Sequence, residues 1–277
     1  MSIEISQHFI TEYTSQVHLA YQARGSKLRK TVRLVTGVNA ADYVFQKAGK
    51  GSAGKKTRDG KVPLMNAGKS TVKATLEDWY AADYVDELDR IKTSVDEIQV
   101  AAQTGANAVG RKADEMLIAK MAGAAQTIAV DGSGLTKAKV LAAFKALNEA
   151  EVPDDGQRFA VVGPNQWNEL LNLKEFKSSD YVGEEFAWLK GTESRRWLGF
   201  VWIMHNSLPL SGGNRTCYLY HKSALGLAEG VEIKAHIDWV PDHASHLVDH
   251  CMSAGAVLID SDGVVGIACD DDAEIAD

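Results

Sequence analysis

The sequence predicts an α+β fold, in which an N-terminal arm and a long basic hairpin precede a long helix, a mixed α/β region and a closing group of strands. Two observations predict this order. A glycine-rich basic run lies between two segments of strand character, and a long helical pattern follows them. The chain has 277 residues, enough to bury a core without disulfides or metals.

The composition is typical of a soluble globular protein, with 45% hydrophobic and 24% charged residues. Cys217, Cys251 and Cys269 are odd in number and lack CxxC spacing, which argues against a disulfide framework or a zinc ribbon and favours a reducing compartment. The first residues lack the pattern of a signal peptide, and no run approaches the ~18 apolar residues of a membrane span. We therefore expect assembly in the cytoplasm and no membrane partner.

Charge is distributed unevenly along the chain, although the net charge is only -7. Residues 24–61 hold eleven bases and two acids, whereas residues 74–155 hold fifteen acids and eight bases. This asymmetry predicts a partner for the basic segment, either another copy of the chain or nucleic acid. Two solvated faces without a partner would give the same pattern.

The first elements are an arm and two strands. Residues 1–30 show no sustained period, so we expect an arm that is ordered by contact with other chains. Thr31–Phe45 is rich in β-branched and aromatic residues. Ser70–Glu77 alternates between apolar and polar residues, which is typical of a half-buried strand, and Thr31–Phe45 is its expected partner.

A basic, glycine-rich tongue at residues 47–61 joins these strands. It holds six bases, one acid and four glycines. Structureless loops longer than ~12–15 residues are uncommon inside compact domains and usually serve binding. The tongue is therefore predicted to be the tip of a long hairpin that either finds a partner elsewhere or remains mobile.

A long helix follows at about residues 94–122. Ser94-Val95-Asp96-Glu97 matches the capping-box pattern at its start. Apolar and small residues then recur every three or four positions, and the many alanines and glycines indicate close packing on a sheet. The stripe consists of Val95, Ile98, Ala102, Gly105, Val109, Ala113, Met116 and Lys120.

The second half is predicted to be mixed α/β. A helix is expected over Lys137–Glu151 because Pro153 ends it, and Pro164 begins another that runs to Leu173. A tight hairpin is expected at Asp260–Gly263, where Asp-Gly favours such turns. The remaining predicted elements are strands at Arg158–Val162, Leu198–His205, Thr216–Tyr220, Val231–Val240, Ala256–Ile259 and Val264–Ala268, and a short helix at Lys222–Ala228.

Two short matches to nucleotide and acyl-transfer motifs carry little weight. Asn66–Ser70 is similar to the end of a P-loop, but Pro63 replaces its first glycine and a strand follows instead of a helix. Ser70 and Lys73 fit SxxK, yet a strand directs them to opposite faces, and neither SDN nor KTG occurs in the chain. We predict no enzyme activity and no cofactor.

Three histidines, His243, His246 and His250, are spaced as they would be in a helical zinc site. Because Leu247–Cys251 is predicted to be β, His246 and His250 share a face and His243 points away. We therefore predict no metal site. Surface or interface histidines are the preferred interpretation, and they would respond to mild acid.

The order of these parts resembles the HK97-like fold of tailed-phage major capsid proteins, with an N-arm, an extended loop, a spine helix, an A-domain and a P-domain. Arg158–Pro164 running into Trp167 and Leu170 is similar to the A-domain strand and its following helix, and Tyr218–Ala224 is similar to the return toward the P-domain. The resemblance covers nearly the whole chain and depends on layout, since the family has no short diagnostic motif.

The resemblance implies a division of the chain. The N-terminal arm would cover residues 1–30, and a strand with the extended loop would cover 31–80, its tip at about 47–69. Residues 81–135 would hold part of the P-domain with the spine helix at about 94–122. The A-domain would cover 136–225, and residues 226–277 would return to P-domain strands and end in an acidic tail.

The resemblance also implies a function. Copies of the chain would self-assemble as hexamers and pentamers into the icosahedral capsid of a virion, built in the host cytoplasm around packaged double-stranded DNA that is contacted non-specifically. The extended loop would lie on a neighbouring subunit, and a separate scaffolding protein and a portal would be partners. The residues predicted to form the subunit interface share positive charge and lie in the arm or the tongue. They are Arg24, Lys27, Arg29, Lys30, Lys47, Lys50, Lys55, Lys56, Arg58 and Lys61.

Three other functions remain open from the sequence. The least favoured is a zinc enzyme that would use the cluster of His243, His246 and His250. An encapsulin, the shell of a bacterial compartment that loads enzymes, would have the same fold. A DNA-binding protein could use residues 24–61 on phosphates, with an affinity that falls steeply in salt.

Overall fold

The computed structural model describes residues 25–88, 96–129, 131–173 and 194–273. Its helices are α1 (Glu97–Met121), α2 (Lys137–Glu149) and α3 (Pro164–Asn172). The first strands are β1 (Arg33–Thr36), β2 (Asp42–Ala48), β3 (Lys69–Thr75), β4 (Glu77–Asp86), β5 (Gln126–Ile128) and β6 (Arg158–Val162). The later strands are β7 (Ser194–Trp197), β8 (Phe200–Met204), β9 (Leu210–Ser211), β10 (Asn214–His221), β11 (Leu225–Val240), β12 (Ser245–Leu258) and β13 (Val264–Asp270).

A four-stranded sheet in the order β1-β11-β12-β4 supports α1. The helix lies on β12 and β4 through small residues, as the alanine and glycine stripe predicts. A Cβ at Gly105 would stand 2.4 Å from the ring of His250, and a Cβ at Gly110 would stand 2.7 Å from the backbone of Gly25. Glycine at these two positions therefore lets the sheet and the end of the arm approach the helix backbone.

The start of α1 differs slightly from the prediction. The N-cap is Asp96, whose carboxylate accepts a hydrogen bond from the Gln99 amide at 3.3 Å. Ser94 and Val95, which begin the predicted capping box, lie outside the described residues. The buried face of α1 includes Val109 and Ala113, as predicted, whereas Lys120 at the end of the stripe is exposed.

The seven-stranded sheet has the order β5-β13-β10-β6-β8-β7, with β9 paired to β10. Helix α2 lies against β13, and one apolar core joins this sheet, α2, α3 and the buried face of α1. Strands β5 and β13 lie outside residues 136–225. The sheet therefore extends on both sides of the A-domain range expected from the sequence.

Strands β2 and β3 form the expected hairpin, in which Asp42 faces Thr75 and Ala48 faces Lys69. Phe45 and Ala74 are buried in a small separate apolar cluster with Ala228, Val257 and Ile259. The base of the hairpin is thereby fixed to the four-stranded sheet.

Two sequence predictions are wrong. Lys222–Ala228 is not a helix: a short 3-10 turn covers Lys222–Ala224, and the chain then enters β11, where β1 and β12 flank it. The segments around Asp260–Gly263 do not pair as a hairpin, because β12 and β13 belong to different sheets. The carbonyl of Ala224 accepts bonds from Ile259 and Asp260 and directs the chain across to the second sheet.

The other predicted helices and strands are found close to their expected places. The strand expected from Leu198 begins at Phe200, because Leu198 and Gly199 adopt positive φ in a turn. In the part of the chain that the structure describes, no helix combines the length and apolar character needed to cross a membrane.

Candidate subunit interface

The tongue extends from the β2–β3 ladder as two adjacent lengths of irregular chain. The Gly49 amide donates a hydrogen bond to the Gly68 carbonyl at 2.6 Å, and the tip turns where the Gly60 amide bonds the Thr57 carbonyl at 3.1 Å. Side chains of one length lie over glycines of the other, with Met65 beside Gly51. A Cβ at Gly51 would stand 2.3 Å from the Met65 sulfur, so a larger residue at this position would require the exposed Met65 side chain to move.

The cations at the tip have no counterion among the described residues of their own subunit. Lys55, Lys56, Arg58 and Lys61 are exposed, and within the described ranges none of them forms an ion pair. The one acid of the tongue, Asp59, is also exposed. The tip therefore carries a concentrated positive charge that the described part of its own subunit does not neutralise.

The cations at the base of the tongue bind their own subunit. The Lys47 ammonium lies 2.8 Å from the Asp260 carboxylate, and the Lys50 ammonium lies 2.7 Å from that of Glu151. Lys50 also donates to the Ala150 carbonyl at 3.2 Å, and its ammonium holds the pKa of the Glu151 carboxyl below its usual value. These contacts place the base of the tongue beside Glu151 and Asp260 of its own subunit.

The segment that follows the tongue and returns to β3 exposes apolar side chains. Val62, Leu64 and Met65 have 69%, 80% and 60% of their surfaces exposed. The sequence analysis treated the tongue as purely basic and missed this strip, although the letters VPLM show it. Isolated exposed apolar residues are ordinary, but three within four positions beside unpaired cations are typical of a contact surface.

The basic residues at the end of the arm differ in environment from the tongue. Arg29 donates to both oxygens of the buried Glu229 carboxylate, with its Nε 2.7 Å from Oε1. This contact raises the pKa of the Arg29 guanidinium. The Lys27 ammonium reaches the Met204 carbonyl at 3.4 Å, Lys30 is exposed, and Arg24 lies outside the described residues.

A buried carboxylate that the sequence analysis missed holds this end of the arm. Asp114, on α1, is only 1% exposed. It accepts hydrogen bonds from the Lys27 amide at 2.8 Å, the Leu28 amide at 3.1 Å and the Ser26 hydroxyl, and it lies 3.1 Å from Nε2 of His205. The residues from Ser26 to Leu28 are thus fixed to the helix and to the seven-stranded sheet by one side chain.

Acids are concentrated at one edge of the four-stranded sheet. Among the described strands, β4 pairs only with β12. It carries Glu77, Asp78, Asp83 and Asp86, with no lysine or arginine. Glu77, Asp78 and Asp83 are exposed, and two tyrosines of the same strand, Tyr80 and Tyr84, have exposures of 69% and 50%. An acidic edge with exposed aromatic rings suits a basic partner, because rings attract lysine and arginine cations.

The three histidines do not form a metal site in the described part of the chain, where no cluster of His, Cys, Asp or Glu has the geometry of a ligand set. His243 stacks on Tyr84, His246 lies against Trp239, and His250 is buried beside Gly105. Ser70 and Lys73 both lie in β3, where three positions along a strand place side chains on opposite faces.

The comparisons with known proteins agree with one another, and each match covers nearly the whole chain. A family model described as "Phage capsid protein" matches residues 5–271. A structure of Mycobacterium phage Che8 superposes with a TM-score of 0.72 at 17% identity, covering 97% of this chain and 99% of that chain. The capsid of cyanophage P-SCSP1u gives a TM-score of 0.70 at 16% identity, covering 94% and 92%.

A third similar structure is the capsid of a native GTA particle, with a TM-score of 0.71 at 12% identity, covering 96% of this chain and 97% of that chain. No curated protein sequence matches this chain.

Proposed function

The chain belongs to the phage capsid protein family and builds a phage capsid shell, and from this premise we propose that it assembles as hexamers and pentamers into an icosahedral shell around the double-stranded DNA of a tailed phage. The α+β, HK97-like fold predicted from the sequence is confirmed by the likeness to capsid structures over nearly the whole chain. Its role is that of a structural protein rather than an enzyme.

The division into arm, extended loop, P-domain and A-domain is part of this proposal. The β2–β3 hairpin with the tongue is the extended loop, and the four-stranded sheet with α1 is the P-domain. The seven-stranded sheet with α2 and α3 is the A-domain. This assignment differs from the sequence-based boundaries, because it places β5 and β13 in the A-domain.

The observation that carries the assembly proposal is the unpaired positive tip of the tongue. Because Lys55, Lys56, Arg58 and Lys61 have no counterion in the described part of their own subunit, a partner supplies it. Their neighbours in the chain, Val62 to Met65, add an apolar surface that water does not favour. Because this surface combines positive charge with apolar area, a protein surface is a better partner for it than water.

The acidic edge at β4 is the proposed counterpart on the next copy. Glu77, Asp78 and Asp83 supply negative charge, and Tyr80 and Tyr84 supply apolar area and ring faces for the cations. Such a contact is heterologous, since the tongue of one copy grips a different surface on the next, and a ring of copies closes it. Each exposed ion pair contributes only about 0–1 kcal/mol, so assembly depends on repetition around the ring.

The remaining proposed partners are inferred from membership of the family, and not from contacts seen in this subunit. We propose a separate scaffolding protein, a portal, and packaged DNA that the inner surface contacts without sequence preference. Assembly takes place in the host cytoplasm. An encapsulin of the same fold is a less favoured function than a phage capsid protein, because the matching family model describes phage capsid proteins.

A DNA-binding protein that uses residues 24–61 is also less favoured. Arg29 is engaged by Glu229, and Lys27 reaches a carbonyl of its own subunit, so part of the basic segment faces inward. Size-exclusion chromatography separates this alternative from a shell. A stable monomer that binds duplex DNA and never forms particles would contradict the shell proposal.

Reversing three charges of the tongue tests the assembly role. The variant Lys55→Glu, Lys56→Glu, Arg58→Glu should keep the circular dichroism spectrum and unfolding midpoint of the wild-type subunit but form few or no particles in electron micrographs. The matched control, Lys55→Arg, Lys56→Arg, Arg58→Lys, keeps every charge and should form shells. Normal shells from the Glu variant would remove the role proposed for the tongue.

A charge exchange tests the counterpart. Adding Asp78→Lys and Asp83→Lys to a chain with Lys55→Glu and Lys56→Glu restores opposite charges across the contact. Particle yield should recover relative to the chain that carries only the two Glu substitutions. Yields that stay low would show that the tongue binds a surface other than the β4 edge.

A further inference from the structure

The far half of β11 is a free sheet edge. Strand β1 pairs with β11 only from Gly226 to Glu229, so from residue 232 onward β12 is the only described neighbour of β11. Every residue from 232 to 239 is exposed. Backbone amides and carbonyls along such an edge can pair with a further strand.

The apolar side chains on this edge are large. Ile237 and Trp239 are 51% and 44% exposed, and Ile233 is 39% exposed. Natural proteins usually protect long edges with charge, proline or a bulge. Here the ladder is irregular only between Glu229 and Lys234, and the register with β12 is regular from Lys234 to Val240.

Strand β4, at the opposite edge of the same sheet, is protected from pairing with a second copy by its charge. Strand β4 has four acids and no lysine or arginine, so two copies of β4 repel each other. The free half of β11 instead alternates Glu232, Lys234, His236 and Asp238 along one face. The Glu232 carboxylate already lies 3.4 Å from the guanidinium of Arg29 in its own chain. Lys234 and Asp238 have no ion-pair partner among the described residues.

This pattern is complementary to itself when the strand is reversed. If two copies of β11 run antiparallel about a twofold axis at His236, Lys234 of each copy stands opposite Asp238 of the other. The same register places Ile233 opposite Trp239. Opposite charges and apolar pairs in directly facing positions are the contacts that stabilise neighbouring strands.

Other self-pairing registers are worse. An axis at Lys234 or at Asp238 places two like charges face to face, and an axis at Ala235 places Glu232 opposite Asp238. An axis at Ile237 leaves Lys234 opposite Val240, without a counterion. The axis at His236 is the one that pairs both free charges and uses the exposed edge from 232 to 240.

We propose that two copies of the chain join their β11 edges as an antiparallel pair about a twofold axis at His236, so that their sheets become continuous. The contact is isologous, with the same surface on both copies, whereas the tongue contact is heterologous. It rests on the proposed shell function, because rings closed by the tongue still need a second contact to connect one ring to the next. The β4 edge and the β11 edge lie on opposite sides of the sheet, so both contacts can form at once.

Disulfide trapping tests the register. In a Cys251→Ser background, where the two remaining cysteines are buried, His236→Cys faces its own copy across the axis. Directly opposite residues of antiparallel strands have Cα atoms about 4.5–5.5 Å apart, within the range of disulfides. Mild oxidation of assembled particles should give a covalent dimer on a non-reducing gel.

Ile237→Cys in the same background is the matched control. In the proposed register it is diagonal to its own copy at about 7–8 Å, too far for a bridge. We therefore expect little dimer from Ile237→Cys. Dimers that form at 237 and not at 236, or at neither position in well-formed particles, would overturn the proposal.

A charge exchange provides a second readout that does not depend on cysteine. Lys234→Asp places two acids opposite each other in each pair and should lower the yield of particles about tenfold or more. Lys234→Asp with Asp238→Lys restores both pairs and should recover that yield. Within the subunit these residues face Cys251 and Leu247 of β12, so neither variant breaks an internal ion pair.

The outcomes distinguish the two proposals. If the wild-type protein forms no shells under any assembly condition, the proposed function itself fails. If the wild type forms shells and the Lys234→Asp variant forms them equally well, the β11 contact fails while the shell function stands.

Discussion

Two basic segments of this chain, the end of the arm and the tip of the tongue, are alike in sequence and different in structure. Arg29 is held by both oxygens of a buried Glu229, and the backbone beside it is held by Asp114. Lys55, Lys56 and Arg58 are exposed and have no ion-pair partner in the described residues. The first segment uses its charge to fix the chain to the body, and the second keeps its charge available for another molecule.

The difference shows why charge alone does not identify an interface. A cation that meets a buried acid contributes to folding, because the acid would otherwise lie desolvated without a partner. A cation in water contributes almost nothing to folding, so its position is open to selection for binding. Substitutions in the two segments should therefore affect different measurements, namely subunit stability in the arm and particle formation in the tongue.

The largest effect should come from removing Asp114. Asp114→Ala leaves the Lys27 and Leu28 amides and the Ser26 hydroxyl without their acceptor in a buried site, and we expect a loss of about 3–5 kcal/mol in the free energy of unfolding. Urea unfolding of unassembled subunits measures it. Asp59→Ala, in the tongue, is the matched control and should change stability by less than about 0.5 kcal/mol. Equal effects of the two substitutions would remove the distinction between the segments.

A smaller effect is expected for Arg29. Arg29→Ala leaves the Glu229 carboxylate buried without its guanidinium, but the arginine is partly solvated, so we expect a loss of about 2 kcal/mol. Arg58→Ala should leave unfolding unchanged and lower particle yield. Adding Glu229→Gln to Arg29→Ala should recover part of the lost stability, since it removes the unpaired charge. An Arg58→Ala subunit as unstable as Arg29→Ala would contradict the assignment of the tongue.

Local pattern was enough to predict most elements and the outline of the fold. Pro153 and Pro164 mark helix boundaries, the apolar run Arg158–Val162 is a buried strand, and the alternation of β3 gives its buried face. These signals depend on neighbours in the chain. The tongue was predicted for the same reason, because its composition excludes a core position.

Long-range partners were not predictable from local pattern. Asp114 looks like any helix-surface acid in the sequence, and its partners lie more than eighty residues away. Asp260–Gly263 does signal a turn, but a turn does not specify which sheet receives the next strand. Leu225–Ala228 was mistaken for a helix because a strand that is buried on both faces shows no alternation.

The smallest effect is a pH dependence of subunit stability at Arg215, which, like Arg29, forms an ion pair with an acid of its own subunit. Arg215 donates from Nε to Asp271 at 2.8 Å and holds the pKa of that carboxyl below its usual value. A depressed pKa in the folded state stabilises the subunit above the ordinary Asp value of about 3.9, and this stability is lost as the pH falls from that value through the lower pKa of the folded state. Urea unfolding between about pH 5 and pH 2 should therefore decline less steeply for Asp271→Asn than for the wild type, with most of the difference below about pH 4. Asp59→Asn should keep the wild-type slope, because Asp59 is exposed and forms no ion pair with the described residues of its own subunit.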